Sequence, residues 1–174
     1  MEFRQAKLED LPKLKKVYRD IIQNMEDNQI SIWDEIYPCE FFQEDIEAEC
    51  FYVLAEGEDI AGGFALCEKA SGEQAMQWQE PEARAMYIDR LGVNVKYLRQ
   101  GIGSKMLEQA EKLAGEKGAK WLRLFVVDIN KPALDLYEKC GFKRAGGIYQ
   151  ERIAPDLVFQ EYGLEKLSRP FQES

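Results

Sequence analysis

Apolar residues recur along this chain in two periods, and the switches between them mark the elements. Residues 2–6 read as a short first strand. Leu11, Leu14, Val17, Tyr18, Ile21 and Ile22 then follow at helical spacing, with Asp10 as the cap and Pro12 in the first turn. Residues 24–38 make a polar and aromatic connection carrying Ile30, Ile32, Trp33, Ile36 and Tyr37, long enough for a lid or two short helices. Residues 40–49 return to helix. Two strand-like runs, 50–55 and 60–68, flank the hairpin signal Glu56-Gly57-Glu58-Asp59. A polar loop over 70–85, with Gly72 and Pro81, leads to a strand over 86–95.

The second half repeats these signals. Ile102, Met106, Leu107, Ala110, Leu113 and Ala114 mark a helix over 101–117, stopped by Gly118. Residues 121–127 are continuously apolar, as in a buried parallel strand. Asn130 caps the next helix, Pro132 sits in its first turn, and Gly141 ends it after Cys140. Strands over 142–145 and 157–164 close the series, and 168–174 read as a flexible tail. The order β-α-α-β-β-β-α-β-α-β-β predicts an α/β layer fold with a mixed sheet in a single domain over 1–167.

Charge and composition narrow the chemistry. With 23 basic and 32 acidic residues among 174, the net charge of −9 argues against nucleic acid as a partner. It suits a cationic partner such as an amine, or serves only solubility. No apolar stretch reaches the length of a membrane span, and the first residues lack the pattern of a signal peptide, so a cytoplasmic location is expected. Cys39, Cys50, Cys67 and Cys140 form no C-x-x-C pair. The chain has no histidine, which excludes Ser-His-Asp and Cys-His catalysis and the H-E-x-x-H metal site. Acid–base work falls to Asp, Glu, Tyr, Lys or water, and no metal is expected.

The most telling segment is Arg99-Gln100-Gly101-Ile102-Gly103-Ser104, which joins a strand to a helix N-terminus. Backbone N–H groups there, with the helix dipole behind them, suit a phosphorylated ligand. The dinucleotide fingerprint fails because Met106 stands at its third glycine, and no Gly-Lys-Ser or Gly-Lys-Thr makes it a P-loop. What remains is a pyrophosphate cradle or a plain turn whose glycines relieve strain.

Leu91-Gly92-Val93-Asn94-Val95-Lys96-Tyr97-Leu98-Arg99-Gln100-Gly101-Ile102-Gly103 resembles the acetyl-CoA-binding motif of the GNAT family, the Gcn5-related N-acetyltransferases. The family's second signature is matched by Asn130, Ala133, Leu136, Tyr137, Lys139, Gly141 and Phe142, at about the usual distance. Many members carry a proline in the connector after the strand; Asn94-Val95-Lys96 has none. The resemblance implies a mostly antiparallel sheet with splayed fourth and fifth strands, helices on both faces, and acetyl-CoA as co-substrate. Backbone groups of Arg99, Gln100, Gly101, Ile102, Gly103 and Ser104 would hold the pyrophosphate, and Val93, Asn94 and Val95 the pantetheine arm. Gly92 is the candidate for the bulge in the fourth strand. Asn130 would reach the pantetheine or act purely as a helix cap.

The implied reaction is direct transfer of an acetyl group to a primary amine of a small molecule, peptide or protein. Tyr137 matches the residue that protonates the leaving sulfur, or else packs under the last strands. Asp89 is the acidic residue nearest the proposed bulge and the first choice of base, unless it pairs with Arg90 or Arg123. Tyr87 shares its face by strand parity. Trp33 and Tyr37, with Pro38, resemble an aromatic feature of small-molecule acetyltransferases, walling the acceptor pocket or pinning the loop. A homodimer is common in the family. A non-catalytic acyl-CoA sensor is the alternative to an enzyme.

Overall fold

The computed structural model describes residues 1–34 and 36–172. Its elements are β1 (Glu2–Gln5), α1 (Leu11–Asp27), α2 (Phe42–Glu47), β2 (Phe51–Glu56), β3 (Asp59–Cys67), β4 (Ala85–Val93), α3 (Ile102–Glu116), β5 (Trp121–Val127), α4 (Lys131–Lys139), β6 (Lys143–Arg144), β7 (Tyr149–Ala154) and β8 (Leu157–Leu167). The eight strands follow the order β1-β2-β3-β4-β5-β8-β6, with β7 also on β8. The pairings β1–β2, β2–β3, β5–β8, β6–β8 and β7–β8 are antiparallel, and β4–β5 is parallel. That parallel ladder spans Ala85–Ile88 and Trp121–Leu124 among the described residues, although β4 runs on to Val93 and β5 to Val127. The chain forms two compact units, residues 1–66 with 90–106, and residues 67–89 with 107–174.

In the first unit, the helical spacing read from the sequence delivers its apolar face: Leu14, Val17, Tyr18, Ile21 and Ile22 are all buried on α1. Pro12 occupies the first turn, where its missing N–H costs nothing. Asp10 makes no side-chain cap on α1. Its carboxylate instead accepts hydrogen bonds from the Lys7 amide (2.7 Å) and from both terminal nitrogens of Arg4 (2.8 and 3.0 Å), and the Arg4 bonds hold it below the usual carboxylate range.

The second unit contains a strand the apolar pattern did not reveal. β7, Tyr-Gln-Glu-Arg-Ile-Ala, pairs with the first half of β8 through a hairpin at Pro155-Asp156. The chain after β8 makes contacts of its own. Ser168 is fully buried; its hydroxyl donates to the Ala119 carbonyl and its amide to that of Lys120 (2.8 Å). Arg169 faces Glu108 and Glu111 at 3.4 Å, and the Gln172 amide donates to Glu111 (2.7 Å). Gly115 makes room for this docking, because a Cβ there would stand 0.9 Å from the Arg169 carbonyl oxygen. Residues 173 and 174 lie outside the described residues.

Gly115→Ala therefore sets a helix-propensity gain of about 1 kcal/mol against eviction of the docked segment. We expect amide exchange over residues 168–172 to accelerate by orders of magnitude, and the melting temperature to fall despite the better helix former. Unchanged exchange would show that the segment is not seated through Gly115.

Candidate active site

The donor-side features belong to the first unit. β4 ends at Val93, and Asn94 opens a single 3-10 turn over Val95–Tyr97. Asn94 is committed to that turn. Its amide donates to the Ala61 carbonyl (2.8 Å), its side-chain nitrogen to the Ile60 carbonyl (2.8 Å), and its Oδ1 accepts from the Lys96 amide (3.0 Å). The Gln100 side-chain amide lies 3.5 Å from the Lys96 carbonyl. The backbone then bends through two left-handed residues, Arg99 (φ 62°) and Gly101 (φ 74°), before α3 starts at Ile102. The bond from the Lys105 amide to the Gly101 carbonyl (3.0 Å) opens the helical ladder, so the N–H groups of Ile102 and Gly103 lie ahead of it, next to Ser104. A Cβ at Gly101 would meet no heavy atom within 4 Å. An open glycine turn at the positive end of a 15-residue helix fits a pyrophosphate.

Close packing explains why Met106 replaces the third fingerprint glycine. The small residue here is on β3: a Cβ at Gly62 would come within 2.8 Å of both the Met106 thioether and the Gly92 carbonyl oxygen. Gly62 thus admits a buried Met106 at the start of the second turn of α3, near a buried Ile102.

The left-handed residue inside β4 is Arg90 (φ 55°), two positions before the glycine expected to supply the irregularity. Gly92 serves close approach, because a Cβ there would stand 2.9 Å from the Tyr18 ring. Three contacts hold Arg90 in its unusual conformation. The Tyr18 hydroxyl donates to its carbonyl at 2.6 Å, with the Gly63 carbonyl next at 3.0 Å. Its guanidinium donates through Nε and a terminal nitrogen to the two oxygens of Asp45, at 2.8 and 2.9 Å. It also lies 5.0 Å over the Phe41 ring. Arg90 and Asp45 are both buried. Trp33 stacks on Tyr18 (5.6 Å between centroids), and Tyr37 meets Phe41 edge-on (5.5 Å). The Tyr37 amide donates to Asp34 (2.7 Å). A nearby cavity of about 610 Å³ is lined by Lys15, Arg19, Asp34 and Glu40 among others, but not by Trp33 or Tyr37.

Tyr137 and Asp89, the residues expected to do acid–base work, belong to the second unit. Tyr137 lies buried on α4, its ring 6.0 Å from that of Phe142. Burial raises its phenol well above the usual range, and the negative charge of Asp89 raises it further. Tyr137 is therefore a proton holder. Asn130 caps α4, its Oδ1 accepting from the Ala133 amide (3.4 Å). Strand alternation places Tyr87 and Asp89 on one face of β4. Tyr87 stacks on Phe125 (6.4 Å, 11°), and its hydroxyl accepts from Arg123 (3.3 Å). Arg90 pairs with Asp45 at 2.8 Å, and Arg123 with Glu165 at 3.7 Å.

Comparison with known proteins now fixes the family. The pattern of the Acetyltransferase (GNAT) family matches residues 15–142. Thialysine N-epsilon-acetyltransferase of Bos taurus is 28% identical over 141 residues, covering 79% of this chain and 81% of that protein. N-alpha-acetyltransferase 50 of Danio rerio is 31% identical over 131 residues, covering 74% and 73%. Among solved structures, Arabidopsis thaliana NAA60 in complex with acetyl-CoA superposes with a TM-score of 0.68 at 19% identity, covering 95% of this chain and 97% of that one. The chain belongs to the acetyltransferase (GNAT) family. It is an enzyme of the acyltransferase class.

Within this GNAT protein, sequence reasoning missed Tyr18, Asp45 and Arg90 as the clamp on β4, and Glu151 and Glu161 beside Asp89. A tyrosine inside the otherwise aliphatic face of α1 was the one local sign of the clamp. Asp45→Asn leaves a buried guanidinium facing a neutral partner, and should cost about 3–5 kcal/mol of stability. Denaturant unfolding measures this; a loss below about 1 kcal/mol would mean that Tyr18 and Phe41 hold Arg90 without the ion pair.

Proposed function

We propose that the protein moves an acetyl group from acetyl-CoA to a primary amine by direct attack, with both substrates bound. The pyrophosphate sits on the backbone of residues 99–104, and the pantetheine arm runs along Val93 and Val95. Asn94 and Asn130 act by shaping the turns on which these groups lie, since their side chains are engaged in the fold. The amine nitrogen attacks the thioester carbonyl carbon, a C–N bond forms, and the C–S bond breaks. Tyr137 gives its hydroxyl proton to the departing sulfur. The proton shed by the attacking nitrogen passes to Asp89, directly or through water, and the tyrosine is then reprotonated. The products are an amide and free CoA thiol, with no metal assigned a part.

The observation that carries this reading is the buried Tyr137, on the residue pattern shared with the family and held in its protonated form beside Asp89. A phenol with a raised pKa keeps a proton to give, and a nearby anion ensures that the phenolate formed on donation is short-lived. The named relatives, which by their names act on an N-epsilon and an N-alpha amine, support an amine acceptor. Trp33, Tyr37 and Tyr87 remain the aromatic groups proposed for the acceptor side, the first two by fixing the connection after α1. No described helix is long and apolar enough to cross a membrane.

Tyr137→Phe should lower kcat about 100-fold or more while leaving the Kd for CoA unchanged. Thiol release with a panel of amines gives the first quantity and calorimetry the second. An unaltered kcat removes Tyr137 from the chemistry. Tight acetyl-CoA binding with no thiol release from any amine would identify a sensor in place of an enzyme.

A further inference from the structure

Two glutamates stand four residues apart on the same face of β8, and the fold treats them differently. Glu165 lies opposite Arg123 on β5 and pairs with it at 3.7 Å, while its other oxygen accepts from the Gln79 amide (3.0 Å). Glu161 is 7% exposed, and its Oε2 has no hydrogen-bond partner. Its neighbours are anions. It shares a hydrogen bond with Glu151 of β7 and feels the charge of Asp89 on β4. Burial first, and these two anions after it, raise its carboxyl far above the usual range.

What surrounds this carboxyl is aromatic. Register puts Tyr149 directly opposite Glu161, with Glu151 two residues along on the same face, and Val127 opposite on β5. Phe125, two residues before Val127, meets the Tyr149 ring edge-on (5.8 Å) and stacks on Tyr87. Tyr149 is held by Gly72, where a Cβ would come within 2.4 Å of the ring. Phe125, Tyr149 and Glu151 are half-exposed, so the buried carboxyl lies behind a reachable aromatic rim. The described acidic groups include no set of three able to hold a metal ion. An aliphatic stem against rings, ending in a positive charge at an unanswered carboxyl, describes an alkylammonium ion.

We propose that Glu161, with Glu151, is the binding site for the ammonium group of a cationic aliphatic acceptor. This rests on the transferase reading above and narrows its substrate class. Before binding, Glu161 holds a proton. When the ammonium arrives, the ionised carboxylate becomes the favoured form, and one proton leaves to solvent for each ammonium bound; no covalent bond changes. The fold bears a cost for this arrangement. A carboxyl whose pKa is raised on folding destabilises the native state above its unfolded pKa, so Glu161→Gln should fold and melt higher than wild type at neutral pH.

The test uses the whole protein with acetyl-CoA, cadaverine as cationic acceptor and aniline as an amine that is neutral at neutral pH. In Glu161→Gln we expect KM for cadaverine to rise about tenfold or more, with kcat changed far less and KM for aniline and acetyl-CoA unchanged. Calorimetry of cadaverine binding to the CoA complex, in two buffers of different ionisation enthalpy, should show proton release in wild type and none in the variant. Wild type that turns over while the variant keeps the same cadaverine KM and proton release would overturn the assignment and leave the transferase standing. Turnover of wild type without preference for cadaverine over aniline would also overturn it. If wild type neither binds acetyl-CoA nor releases thiol, the transferase reading falls and takes this one with it.

Discussion

A residue other than glycine in the left-handed region in mid-strand persists only where its surroundings over-determine it. Arg90 meets that condition from three sides: a buried hydroxyl on its carbonyl, a two-oxygen carboxylate on its guanidinium, and a ring beneath it. Much of the first unit is arranged to supply those contacts. Tyr18 reaches the Arg90 carbonyl because Gly92 lets its ring close in, and it stays in place because Phe42 and Trp33 pack around it. The short helix α2 presents Asp45 on one face, and Phe42 and Ile46 to the core. The aromatic connection after α1 thus has a structural reason to exist, apart from any contact with substrate.

The second unit follows another logic, in which buried charge is distributed unevenly. Arg123 answers Glu165, lies 4.5 Å over Trp78, and reaches the Tyr87 hydroxyl and the Glu80 carbonyl. It turns a polar interior into a fixed scaffold. Around Glu161 the neighbouring carboxylates push on one another, and burial adds to the strain. Stability alone favours neutralising such a place; a place that has to receive a positive charge favours leaving it.

The elements whose signal is local are legible in the sequence itself. Helical spacing on α1 and α3, the Asn130 and Pro132 start of α4, and the unbroken apolar run of β5 each depend on residues close together in sequence. The glycine turn and the Tyr137 signature were legible for the same reason. What escaped depends on partners far along the chain. β7 has a glutamate among its inward positions, so it lacks the apolar alternation by which a strand is recognised. The C-terminal docking relies on Gly115 and Ala119, about fifty residues upstream. The left-handed residue in β4 is an arginine, which carries no local sign of that role, whereas the glycine that draws attention stands two residues further on.

The register of β8 has a consequence of its own. This strand pairs with β5 along one edge and with β7 and β6 along the other, and its side chains change face at every step. A slip of one residue would send Glu161 and Glu165 to the opposite surface and bring Gln160, Tyr162 and Leu164 in their place. The register is set by a tight hairpin at Pro155-Asp156 and by the irregularity between Arg152 and Ala154. Those exposed residues, with no chemistry of their own, act as a phase setting for the strand. An insertion or deletion there would exchange one set of buried groups for another while leaving every catalytic side chain present in the sequence.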